Sequence, residues 1–150
     1  DTGIDAKTLP HYINDAILRC LAGVMKAERP LFLKIAYNGP RSTEELASFD
    51  SRLVVGVLGG GAGTTRDAFE LIHQAEKYGA RVALFGRKIN LAESPLDMVA
   101  MLRRVASHEI GPKEAVKAYH GALQKQGIRP ERPLEDDSRI TEAVLKEAAA

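Results

Sequence analysis

The chain has 150 residues, a formal net charge of +1 and a single cysteine, enough for one domain with a sizeable core. Near-neutral charge argues against nucleic acid or a membrane surface as partner, and no apolar stretch reaches membrane-spanning length. Cys20 alone excludes an internal disulfide and fits a reducing, cytoplasmic setting.

In chain order, Ile13, Ile17, Cys20, Leu21 and Val24 recur at helical spacing and predict a helix over 11–28, with Cys20 as a core thiol on its inner face. The apolar run "PLFLKIAY" predicts a buried strand over about 31–37. Ser42 and Glu45 have the spacing of a capping box for a short helix. "RLVVGVL" predicts a second strand over 52–58, and Thr64 or Thr65 can cap a helix that runs to about Tyr78, closed by Gly79. "ARVALFG" predicts a third strand over 80–86. Ser94-Pro95 opens a helix to about Ser107, and Gly111-Pro112 opens another that ends at Gly127. Residues 129–150 read as a Pro- and charge-rich irregular tail with a last helix near 139–149.

Strands alternating with helices specify an α/β fold with a parallel sheet and helical crossovers. Three strands are few for a sheet covered on both faces, and a full (β/α)8 barrel takes about 250 residues. Residues 1–128 are therefore read as the second half of a TIM barrel, and the start at Asp1 rather than methionine as the mark of a longer protein.

The densest punctuation is "VVGVLGGGAGTTRDAF", where Gly59, Gly60, Gly61 and Gly63 stand between a strand and a helix start. Glycine in such quantity implies either φ > 0 or the close approach of something to the backbone. Strand ends are where α/β folds bind ligands, and free N–H groups at a helix start suit an anion. No Walker lysine follows, and Thr64 breaks the dinucleotide fingerprint. The next strand ends in Gly86-Arg87-Lys88, a second glycine turn with two cations. Together the two loops read as a phosphate site, against the plainer reading of permissive turns with a solvated Arg87. Lys34 is the other anomaly: alternation in "LFLKIAY" sets it opposite Leu33 and Ile35. Burial there would depress its pKa and leave a neutral amine able to attack a carbonyl; the alternative is an edge lysine that reaches water.

"LFLKIAYNGP", "VVGVLGGGAGTTRDAF" and "ARVALFGRKI", in this order and spacing, resemble the last three strands of the class I fructose-bisphosphate aldolases of archaeal and bacterial type, over about residues 31–92. The resemblance implies that Lys34 forms a Schiff base and that Gly59, Gly60, Gly61, Gly86 and Arg87 hold a substrate phosphate, with no cofactor. Family members commonly have serine where Gly59 stands, and their proton-transferring tyrosine and early acidic residue lie upstream of this chain. Tyr37 falls one residue past the interior-facing positions and is a poor substitute.

The four histidines lack metal-ligand spacing, so no metal site is expected. His73 reads as an exposed helix residue, and Asp136-Asp137 as solvated charge or a cap. The expected function is that of a carbon–carbon lyase of aldolase type acting on a phosphorylated ketose or aldehyde, with the chain forming a homo-oligomer or pairing with the missing half-barrel. The alternatives are a phosphosugar-binding barrel with other chemistry, and a non-catalytic module that binds phosphorylated metabolites.

Overall fold

A computed structural model describes residues 3–5, 8–59, 61 and 63–149. The element order is α1 (Leu9–Ala22), β1 (Phe32–Ile35), α2 (Pro40–Phe49), β2 (Val54–Leu58), α3 (Thr65–Lys77), β3 (Val82–Leu84), α4 (Arg87–Asn90), α5 (Pro95–Ala106), α6 (Pro112–Lys125), α7 (Leu134–Asp137) and α8 (Ala143–Lys146). The protein is α/β: its strands form one parallel sheet in the order β1-β2-β3. Lys34 lies beside Gly56 in the first pairing, and Leu58 beside Leu84 in the second.

Strand alternation sorts the sheet into two unlike faces. Val55 and Val57 are fully buried, and with Leu46, Leu53, Leu71, Ala75, Ala80 and Leu145 they make one core under the sheet, onto which Leu33 and Ile35 also pack. Phe32, Lys34, Leu58 and Val82 project from the other face and are exposed. A second core joins α3, α5 and α6 through Phe69, Met98, Leu102, Val105, Val116, Tyr119 and Leu123.

Helix starts follow the sequence closely where a side chain caps them. Thr64 Oγ1 accepts from Asp67 N at 3.0 Å and the Asp67 carboxylate accepts from Thr64 N at 3.0 Å, a reciprocal box that opens α3. Gly79, at φ 97°, supplies the left-handed turn that releases the chain toward β3. The box expected from Ser42 and Glu45 does not form. Gly39, at φ 92°, breaks the chain direction and Pro40 begins α2 two residues earlier, which leaves both side chains to join helices. Ser42 Oγ lies 3.3 Å from His11 Nδ1, and Glu45 accepts from Asn14 Nδ2 at 2.9 Å.

Cys20 is exposed, contrary to the expectation of a core thiol. Helix α1 is turned so that Asn14, Ile17, Leu18 and Leu21 face inward, and it stops at Ala22, where Arg29 Nε reaches back to the Leu21 carbonyl at 3.0 Å. The C-terminal segment is more ordered than its composition suggests. A single turn, α7, falls in the stretch read as irregular, and the last helix contracts to Ala143–Lys146. Leu145 anchors that segment, fully buried under the sheet, and its carbonyl accepts from Gln74 Nε2 at 2.8 Å. No helix of the described residues is long and apolar enough to cross a membrane.

Candidate functional site

All three strands end on one cavity of about 460 Å³, lined by Lys34 and Tyr37 from the β1 end, Leu58 and Gly59 from β2, Gly86, Arg87 and Lys88 after β3, and Glu142 from the C-terminal segment. Parallel pairing is the reason, since it brings the carboxyl ends of successive strands to one edge. The sequence motifs separated by more than fifty residues therefore meet in space. Lys34 lies in this cavity as part of the exposed sheet face. The desolvation expected around it is absent among the described residues, because only the opposite face of the sheet is covered.

The glycine loop earns its composition from proximity. None of Gly59, Gly61 and Gly63 has positive φ. A Cβ on Gly59 would stand 2.4 Å from Phe85 Cδ1, and one on Gly63 would stand 2.5 Å from Asp67 Oδ2, whereas Gly61 has open space around it. Gly60, also expected to bind phosphate, lies outside the described residues. The backbone donors expected to be free for an anion are largely committed. Gly59 N–H donates to the Leu84 carbonyl at 2.9 Å and continues the sheet. Thr64 N–H is taken by Asp67, and Thr65 N–H donates to Asp137 Oδ1 at 2.7 Å. Asp137 is thus buried, not solvated, and its second oxygen accepts from His120 Nε2 at 2.9 Å. Burial alone would raise the carboxyl pKa of Asp137; the Thr65 amide and His120 outweigh it and hold the group below its ordinary value.

Gly86 does not remain a plain loop glycine: it precedes the one-turn α4, which carries Arg87 and Lys88. Lys88 Nζ donates to the Gly63 carbonyl at 3.1 Å and so ties the loop after β3 to the loop after β2. Burial pushes its pKa down, Asp137 and Glu93 favour its charge, and Arg132 opposes it. Arg132 comes from the C-terminal segment and reaches the same Gly63 carbonyl at 3.5 Å.

That segment is bound to the start of α3 by Asp67. Its Oδ1 accepts from Thr141 N at 2.8 Å and Glu142 N at 3.3 Å, and its Oδ2 from Thr141 Oγ1 at 2.5 Å as well as from Thr64 N. The consequence is that Glu142 enters the cavity. Its carboxyl is pushed up by burial and by neighbouring Asp67, against the pull of the Gly61 amide. Tyr37, by contrast, is buried and donates its hydroxyl to Gln74 Oε1 at 3.1 Å; burial first, then Tyr78 and nearby carboxylates, raises its pKa.

Sequence reasoning did not find Glu142 or the Asp67–Thr141 link, which join residues over seventy positions apart. His73 is half-buried and meets His108 edge-on, with ring centroids 6.1 Å apart. No group of three or more metal-ligating side chains occurs among the described residues. No protein-family model matches this chain, and comparison with curated proteins gives no match either.

Proposed function

We propose that the chain is the C-terminal half of a (β/α)8 barrel enzyme of class I aldolase type, a carbon–carbon lyase acting on a phosphorylated ketose or aldehyde. The observation that carries the proposal is the single cavity in which Lys34, Gly59, Gly86, Arg87 and Lys88 meet at the carboxyl ends of three parallel strands. In this reading the Lys34 amine attacks the substrate carbonyl. The Nζ–carbon bond forms, the carbonyl oxygen leaves as water, and the resulting iminium accepts the electron pair of the breaking carbon–carbon bond as an enamine, while the departing fragment's hydroxyl gives its proton to solvent and becomes an aldehyde; protonation and hydrolysis of the enamine then free the lysine. The phosphoryl group lies toward Gly61, Gly86, Arg87 and the neighbouring Lys88. Reaction needs a drier setting for Lys34 than the exposed sheet face provides, so the proposal includes a covering element over Phe32, Lys34, Leu58 and Val82: the other half of the barrel, or a further copy of the chain. A cytoplasmic setting accompanies it.

The test is borohydride reduction in the presence of a phosphorylated hydroxyketone, followed by mapping of the adduct. A covalent adduct at Lys34 is expected, and its loss in Lys34→Met, which keeps the apolar stem but not the amine. An adduct at another lysine removes Lys34 from the role. The exposure of Lys34 favours a second reading, a phosphometabolite-binding module in which the lysine acts only as a charge; phosphate binding with no adduct at any lysine would select it.

A further inference from the structure

The wall between the main cavity and a smaller one of about 240 Å³ is formed by Arg87 and Lys88, which line both. The smaller cavity is completed by Gly63, Glu93, Arg132 and Asp137, among others. Lys88 is half-buried there, yet forms no ion pair among the described residues. Its ammonium carries three donors, of which one goes to the neutral Gly63 carbonyl. The nearby carboxylates are engaged elsewhere: Asp137 by Thr65 N and His120, Glu93 by Tyr119 Oη at 2.9 Å and Glu131 N at 2.9 Å. Arg87 beside it is exposed, and its side chain makes no hydrogen bond or ion pair among the described residues.

An oxyanion arriving at these loops finds the Gly59, Thr64 and Thr65 amides already bonded. Among the described residues, the groups with donors left for it are the side-chain cations Arg87 and Lys88. From this arrangement we infer that Lys88 is the residue that selects a phosphoryl group at the site, its Nζ held in place by the Gly63 carbonyl and its remaining N–H donors shared with Arg87 around one tetrahedral dianion. A phosphate monoester carries a charge near −2 at neutral pH, which two adjacent cations match and a carboxylate does not. The inference rests on the proposed function only for the identity of the site; it adds a ligand-reading side chain to the glycines and Arg87 already placed there.

The experiment titrates inorganic phosphate, and acetate separately, into the full chain and follows the Gly61, Arg87 and Lys88 amides by NMR. Lys88→Met should weaken phosphate binding by about ten- to a hundredfold, the worth of one charge-assisted bond, and should close most of the gap between phosphate and acetate. Lys88→Arg should recover most of the lost affinity, because it restores the charge. Equal phosphate affinity in the parent and in Lys88→Met overturns the inference, as does an Arg variant as weak as the Met variant, which would show that the Gly63 tether matters and the charge does not. Absence of phosphate binding by the parent overturns it too. Borohydride trapping on the parent is scored separately: phosphate binding that depends on Lys88, with no adduct at Lys34, removes the Schiff-base reading and leaves Lys88 as the phosphate reader.

Discussion

Replacing Asp67 by Asn keeps the shape of the side chain and removes one acceptor and the charge. In the parent four donors converge on the two carboxylate oxygens, from Thr64 N, Thr141 N, Thr141 Oγ1 and Glu142 N. An amide placed with its oxygen toward Thr141 N and Glu142 N must turn its NH₂ toward the Thr64 N–H, donor against donor, while the Thr141 hydroxyl can rotate and accept. Thr64 is buried, so its orphaned amide costs about 1–3 kcal/mol. The two surviving bonds lose their charge assistance, at roughly 1 kcal/mol each. The sum is about 3–5 kcal/mol, a large fraction of the roughly 5–15 kcal/mol that stabilises an ordinary domain. Urea unfolding should show this loss as a shifted midpoint with an unchanged slope, and hydrogen exchange at Thr141 and Glu142 should accelerate more than exchange in β2. A loss below about 1 kcal/mol would refute the view that Asp67 is the joint between the glycine loop and the C-terminal segment.

The same geometry yields four further expectations. Hydrogen bonds hold Asp67 and Asp137 below the ordinary carboxyl value despite burial, so each contributes stability above about pH 4 that is lost as pH falls through that value toward the folded-state pKa; acid unfolding should be shallower in an Asp137→Asn variant already weakened at neutral pH. Leu145→Ala should cost about 2–5 kcal/mol, since the side chain is fully buried in the sheet core, and limited proteolysis should then cut the C-terminal segment first. Gly59→Ala must displace Phe85, with contacts down to 2.4 Å and one to its backbone at 3.0 Å, whereas Gly56→Ala meets the exposed Phe32 ring at 2.7 Å and the Leu33 carbonyl only at 3.2 Å; thermal unfolding should show the first variant destabilised by about 1–3 kcal/mol and the second by less. Cys20 should react with a thiol reagent in the folded protein, and protection until unfolding would contradict its exposed position.

Much of the fold was legible because its signals are local. Val55 and Val57 alternate with Gly56 and Leu58 as a strand over a single core requires, and Thr64, Gly79 and Ser94-Pro95 mark helix ends by chemistry that depends on a few neighbouring residues. Periodicity alone does not choose the inner face at Cys20, because α1 has apolar residues around much of its circumference, with Leu9, Tyr12 and Ile13 exposed. The Ser42–Glu45 pair failed for a related reason: a proline two residues earlier started the helix first. At the site, the convergence of Lys34, Gly59 and Arg87 follows from parallel pairing and could be read in advance. The fate of the loop's amides could not, because Asp137 and the residues joined by Asp67 are distant in sequence and meet only after α6 has turned the chain back.

The committed Thr64 and Thr65 amides change what the glycine loop contributes. Helix N-termini attract anions because their first amides lack partners. At α3 the Thr64 and Thr65 amides already face carboxylates of the chain itself, from Asp67 within the first turn and Asp137 from the C-terminal segment. An external phosphate would have to displace a short, buried bond to gain an equivalent one, with little net benefit. In the proposed site, recognition of a phosphoryl group would fall to side chains with bonding capacity left, and these lie one strand further along, in Arg87 and Lys88. The glycines then serve approach: Gly59 lets the Phe85 ring close against the loop, and Gly63 lets Asp67 reach the Thr64 amide while its carbonyl steadies Lys88. On this argument the two loops are a single device, the first shaping the pocket and the second supplying its charge. The Lys88→Met and Asp67→Asn variants should consequently separate ligand affinity from stability, the former losing chiefly phosphate binding and the latter chiefly the fold.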